Sequence, residues 1–77
     1  MNKDRRKQLS DIVERLSGIH ADLEELATDE RDAFENMPEG LQQSASGEQI
    51  DANADALENA ACTIDDLNTE LQEIEQS

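Results

Sequence analysis

Aromatic residues are almost missing from this chain: Phe34 stands alone among 77 residues, with no Trp and no Tyr. Stacking on nucleobases therefore has no platform. Cys62 is the one cysteine, so neither a disulfide framework nor a multi-thiolate zinc site can form within the chain. A single histidine, His20, cannot complete the usual zinc set either. Pro38 is the one proline and there are three glycines, which leaves long stretches without a helix breaker. Apolar runs are short, far from the roughly 20 residues that span a bilayer. The residues after Met1 lack the apolar core of a signal peptide. A cytoplasmic location is the expectation. Cations are scarce as well, 6 Lys and Arg against 20 Asp and Glu, for a net charge of −14.

What is present follows from that balance. The cations cluster at Lys3, Arg5, Arg6 and Lys7, and beyond Gln8 only Arg15 and Arg31 oppose 19 acids. Such a body is repelled by nucleic acid and by anionic membranes, and suits a protein partner with a basic surface. The plainer reading is that the acids keep a small protein soluble. A chain of this length makes one domain with a small core. Only 35% of its residues are hydrophobic, and alanine, which buries little, is prominent among them. A second chain adding to the core is therefore expected, as a homodimer.

The apolar residues are periodic, which argues against disorder. Leu9, Ile12, Leu16, Ile19, Leu23, Leu26, then Glu30, Ala33 and Met37 alternate steps of three and four, a seven-residue repeat broken at Glu30. Val13, His20, Ala27 and Phe34 recur beside it and widen the stripe for more than one neighbour. The pattern predicts a helix over about 4–35, about 45 Å long. Its cations lie at the wrong end for the macrodipole, so the first residues are expected to fray or to form a short basic arm.

Asn36-Met37-Pro38-Glu39-Gly40 punctuates the chain, because Pro38 disfavours helical geometry at Met37. A loop over about 36–47 follows, with one helical turn possible between Leu41 and Ser46. Phe34, Met37 and Leu41 are expected to fold under it as a cluster. Ser46 with Gln49 resembles a capping box, and Ser44 is the rival cap. A second helix over about 48–75 carries Ile50, Leu57, Ile64 and Leu71 at seven-residue spacing, flanked by Ala54 and Ala61 and by Ala60, Leu67 and Ile74. Asn53 and Asn68 lie at or near this seam, where a polar side chain can fix register, or point to water at its edge. The fold class is all-α: residues 1–77 form one antiparallel two-helix hairpin, pairing as a dimeric four-helix bundle. A long open coiled coil is the rival.

No chemistry stands out. Asp51-Ala52-Asn53-Ala54-Asp55 opens like a calcium loop, but Ala56 stands where the turn needs glycine and Cys62 where the cage needs its last acid. His20 has Ser17 where a di-iron bundle needs Glu three residues earlier, and reads as a boundary residue within reach of Glu24. Cys62 lies among Glu58, Asp65 and Asp66, surroundings that dull a nucleophile, and a half-buried inert thiol is expected. A two-helix hairpin offers no cleft for paired carboxylates. The expectation is a non-enzyme without catalytic residues, metal or cofactor.

The segment Asp29-Glu30-Arg31-Asp32-Ala33-Phe34-Glu35-Asn36-Met37-Pro38-Glu39-Gly40-Leu41-Gln42-Gln43-Ser44-Ala45-Ser46-Gly47-Glu48 is similar to a run found in small acidic helical-hairpin proteins of bacteriophages and prophages. Those share an acidic helix, a break reading roughly Asn-aliphatic-Pro-Glu-x-Leu-Gln, and a second acidic helix. The resemblance implies a phage or prophage origin and an all-helical hairpin. It supplies no functional residues, because the family carries no established activity.

Two functions compete. In the first, the chain inhibits a host nucleic-acid-binding or defence protein through a DNA-like acidic surface. About 45 Å of duplex carries about 26 charges, and one hairpin carries 19 acids past Gln8. Asp22, Glu25, Asp29 and Asp32 are the candidate contact residues. In the second, the chain is a helical adaptor or assembly protein, anchored by Phe34, Met37 and Leu41. Those three residues also serve simply as a cap on the core. Direct nucleic-acid binding by the basic arm is disfavoured by the acidic body.

Overall fold

The computed structural model describes residues 1–77. Three helices follow in order: α1, Lys3–Glu35; α2, Glu39–Gln42; and α3, Ala45–Gln76. The two long helices lie antiparallel against each other and make a rod 58 Å long and 14 by 13 Å across. Its radius of gyration is 17.3 Å, against about 11.5 Å for a compact domain of this length.

Local chemistry sets each boundary. α1 starts at Lys3 because the Asn2 side chain accepts from the Arg5 amide at 2.9 Å, the cap that satisfies a free N–H. The first residues, expected to fray or to form a short basic arm, are helical from Lys3. The reason lies in the partner helix. Antiparallel packing brings the basic cluster beside the carboxyl end of α3, and Arg6 donates to the Ser77 carbonyl oxygen at 2.7 Å. A guanidinium at a helix C-terminus is favoured by the macrodipole, so cations misplaced for α1 are well placed for α3.

At the turn, the Asn36 amide bonds Asp32 O at 2.9 Å and the Met37 amide bonds Phe34 O at 3.1 Å before Pro38 ends the run. The helical turn of α2 begins two residues earlier than expected, immediately after Pro38, whose fixed φ suits an entry position. Gln42 then reaches back from α2: its amide nitrogen donates to Phe34 O at 3.0 Å and to Met37 O at 3.2 Å. That gives Phe34 O a second donor beside the Met37 amide and satisfies Met37 O in the turn. α3 begins at Ala45, earlier than expected, because Ser44 is the cap, accepting from the Gly47 amide at 3.2 Å. Ser46 lies inside the helix. Gly47 is required where α2 lies against α3. A Cβ there would run into the carbonyl oxygens of Leu41 and Gln42 and stand 2.7 Å from Gln42 Cα.

The seam is a seven-residue repeat on both helices, but its membership differs from the expectation. On α1 it runs Leu9, Val13, Leu16, His20, Leu23, Ala27, Glu30 and Phe34, all buried or half-buried. On α3 it runs Gly47, Ile50, Ala54, Leu57, Ala61, Ile64, Asn68 and Leu71. The row Val13-His20-Ala27-Phe34, read from sequence as a flank, is thus half of the core. The row Ile12-Ile19-Leu26-Ala33, read as the stripe itself, is exposed. A helix face wide enough to serve two neighbours cannot say which edge the first neighbour takes.

The core is thin. Leu9, Ala27, Ala54 and Ala61 are its only buried apolar residues, and no large side chain is wholly enclosed. The accessible surface of 5537 Å² exceeds the roughly 4,700 Å² of a compact protein of this mass. Ala27, Ala54 and Ala61 allow close helix approach but supply little apolar area. Asn68 is buried within this seam rather than turned to water. Its Nδ2 donates to Ser17 Oγ at 2.9 Å, while Ser17 donates onward to Val13 O at 3.1 Å. The Asn68 carbonyl oxygen is buried without a partner. Asn53 does take the other reading: it is exposed and accepts from Gln49 at 2.9 Å.

Candidate interaction surface

Register fixes which residues share a face. Arg6 meets Ser77, Ser17 meets Asn68 and Arg31 meets Asp55, so the two helices run in opposition from end to end. On that register Ile12 stands across from Ile74, Ile19 from Leu67, Leu26 from Ala60 and Ala33 from Asn53. Leu26 also lines one shallow groove with Glu30, Asn53, Ala56 and Leu57. One side of the rod therefore carries two rows, Ile12-Ile19-Leu26-Ala33 and Asn53-Ala60-Leu67-Ile74, that contain no charged residue of their own, with Glu30 beside Leu26 at the seam edge of the stripe.

This stripe is the main apolar surface of the molecule. Seven large apolar side chains are exposed, and five of them, Ile12, Ile19, Leu26, Leu67 and Ile74, belong to it. Each leaves between 39% and 52% of its surface to solvent. Isolated exposed apolar residues need no explanation, whereas a contiguous strip is a candidate interaction surface. The sequence places Ile12, Ile19 and Leu26 in a stripe on a face wide enough for more than one neighbour, with Leu67 and Ile74 as flanks of the α3 seam, and leaves open which edge stays exposed. The signal that separates the two rows from the seam is the charge pattern. Glu30, Arg31 and Asp51 interrupt the seam and its edge, whereas the two rows themselves contain no charged residue from Ile12 onward.

The opposite side is polar. Arg31 reaches across from α1 and pairs with Asp51, with Asp55 at 2.6 Å and with Glu58 at 3.7 Å. Three-quarters of the Arg31 side chain is covered. Its hydrogen bonds to Asp51 and then Asp55 hold the guanidinium above its ordinary pKa. A raised cationic pKa contributes stability that is lost only above the ordinary arginine value, so this cluster is insensitive to any working alkaline pH. Asp51 and Asp55, the two acids of the calcium-loop resemblance, are thus engaged by an arginine on a continuous helix. Their intervening Ala54 is fully buried.

Further along the same side, His20 Nδ1 lies 3.1 Å from Glu24. The two line a shallow groove with Ala27, Thr28, Glu58, Ala61 and Cys62. Cys62 is exposed, not half-buried as expected, because it sits one position outside the Ala61 row. No three His, Cys, Asp or Glu side chains converge in a manner that could hold a metal ion. No helix is long and apolar enough to cross a membrane.

Asp22, Glu25, Asp29 and Asp32 are all exposed and form one ridge along the outer side of α1, since steps of three and four residues return to one helix face. The second candidate set is divided. Phe34 and Met37 are half-buried, with their carbonyls held by Gln42. Leu41 does not fold under the loop with them, and 53% of it is exposed. The reason is α2 itself: its single turn directs Gln42 inward and Leu41 outward. No protein-family model, no curated protein and no solved structure matches this chain.

Proposed function

We propose that the chain is a non-enzymatic interaction protein that dimerises through its uncharged stripe and presents a DNA-like acidic exterior to a basic protein partner. The observation that carries this reading is the segregation of residues around the rod: apolar side chains on one face, carboxylates on every other. Pairing of two rods along the stripe covers the apolar face and leaves the acids outside. The apolar rows run from residue 12 to residue 33 on α1, about 32 Å of helix, and form the apolar centre of a contact between two rods each 58 Å long. The two chains together then carry twice fourteen negative charges along 58 Å, about one per 2 Å. Duplex DNA carries about one per 1.7 Å. A monomer reaches only half that density.

A nucleic-acid-binding protein of a bacterial host is the natural target class, given the resemblance of the 29–48 segment to phage and prophage hairpins. Neutralising the ridge as D22N/E25Q/D29N/D32N tests the reading. Immobilised wild type should retain a nucleic-acid-binding protein from bacterial lysate at low salt and release it to added salt or to duplex DNA. The quadruple variant should retain it at least tenfold less. Retention that survives high salt and ignores DNA overturns the proposal.

The exposure of Leu41 supports a second reading, a helical adaptor that docks a partner at the loop end through Leu41 with Phe34 and Met37. Leu41→Ser separates the two: it abolishes salt-resistant partner retention in an adaptor and leaves salt-sensitive retention untouched in a DNA-like inhibitor.

A further inference from the structure

The uncharged stripe has a direction. It is bulky at the end that holds the chain termini, where Ile12 stands across from Ile74, and thin at the loop end, where Ala33 stands across from Asn53. Between them come Ile19 with Leu67, then Leu26 with Ala60. Two copies can face each other along this stripe with their loops at the same end or at opposite ends. With loops together, bulky rungs meet bulky rungs and the thin ends leave a gap. With loops apart, Ile12 packs over Ala33 of the second copy, Ile74 over Asn53, and Leu67 over Ala60, so that the spacing between the rods stays even. Interiors tolerate neither overpacking nor voids.

Charge has a direction too. Residues 1–12 and 70–77, which share the terminal end, carry four cations and five acids. Residues 29–58, at the loop end, carry nine acids opposed by Arg31 alone. Side-by-side loops would bring two ends of net charge −8 together. Opposed loops set each acidic end against the nearly neutral terminal end, where Lys3, Arg5, Arg6 and Lys7 lie.

From shape and charge together we infer that the occupant of the stripe is a second copy of this chain in reversed orientation, related by a two-fold axis that crosses the rods near their middle, between the rungs Ile19/Leu67 and Leu26/Ala60. α1 then faces α1 of the second copy and α3 faces α3, all neighbours antiparallel, and the same patch is used by both subunits as two-fold symmetry requires. This orientation deepens the dimer reading above and depends on it. It also makes the assembly uniform: acids are spread along its whole length instead of being concentrated at one end.

The test is a pulsed electron–electron distance measurement on the full chain. Cys62→Ser removes the native thiol, which lies exposed and off the stripe, and Glu39→Cys at the loop provides one spin label per chain. The sedimentation mass of the labelled protein is determined in parallel. A dimer with a label separation of about 50 Å, from about 1.5 Å of rise per residue on each side of the axis, is the expected result. A dimer whose labels are within about 25 Å overturns the reversed orientation and leaves the dimer standing. A mass of one chain with no dipolar signal overturns both.

Discussion

Gly18 and Gly47 are the same residue in the same kind of helix, and they are opposite in effect. A Cβ at Gly18 would meet nothing within 4 Å, whereas one at Gly47 meets the backbone of α2. Gly18→Ala should therefore stabilise the fold by about 0.5–1 kcal/mol, the helix-propensity difference between the two residues. Gly47→Ala should destabilise it by about 1–3 kcal/mol through overpacking. Chemical denaturation of the two variants checks both signs. Asn68 offers the third residue-scale test. Its buried carbonyl oxygen has no partner, and such a group costs about 1–3 kcal/mol. Asn68→Leu should raise unfolding stability by about 1 kcal/mol, since Ser17 keeps its own bond to Val13. A fall in stability would mean that the asparagine is satisfied by a group that the isolated hairpin does not contain.

Among the elements, the long helices and the break at Pro38 were legible in the sequence because periodicity and proline act locally. The seam was only half legible. Three apolar rows on α1 are equally periodic, and only contact with α3 decides that Val13, His20, Ala27 and Phe34 turn inward while Ile12, Ile19 and Leu26 stay out. The caps show a similar limit. Ser44 and Ser46 are chemically interchangeable, and what favours Ser44 is the tight approach of α2 that places Gly47 in the first turn. Asn2 was an available cap that the basic cluster obscured, because cations were weighed against α1's own dipole and not against the neighbouring C-terminus. Gln42 left no pattern at all, since a side chain reaching back to Phe34 O and Met37 O has no sequence signature. Gln42→Ala should cost about 1 kcal/mol by leaving Met37 O without its donor and Phe34 O with the Met37 amide alone, read as a lowered denaturation midpoint with unchanged helix content at low denaturant.

On the scale of the whole molecule, thin core and high charge act together. A net charge of −14 on a rod with four buried apolar residues leaves self-repulsion weakly opposed. Added salt screens that repulsion, with a Debye length of about 30 Å at 0.01 M and about 10 Å at 0.1 M. The melting temperature should therefore rise as sodium chloride is increased from 0.01 to 0.5 M, the reverse of a fold held by surface ion pairs. The acidic ridge Asp22, Glu25, Asp29 and Asp32 was read from sequence as surface and is surface, because charged residues at helical spacing have few other places to go. Pairing through a remaining apolar face was expected from sequence, but not which rows form that face, because an apolar row carries no mark of whether its cover is the same chain or another.

The account depends most on that cover. Sedimentation equilibrium at micromolar concentration, on wild type and on the double variant Ile19→Glu/Leu67→Glu, tests it directly. A wild-type mass of twice 8.6 kDa that falls to a single chain in the variant is the predicted result, with Glu25→Gln/Glu73→Gln on the outer side retaining the dimer. A wild-type mass of 8.6 kDa across the concentration range, with full helicity and cooperative unfolding, would contradict it.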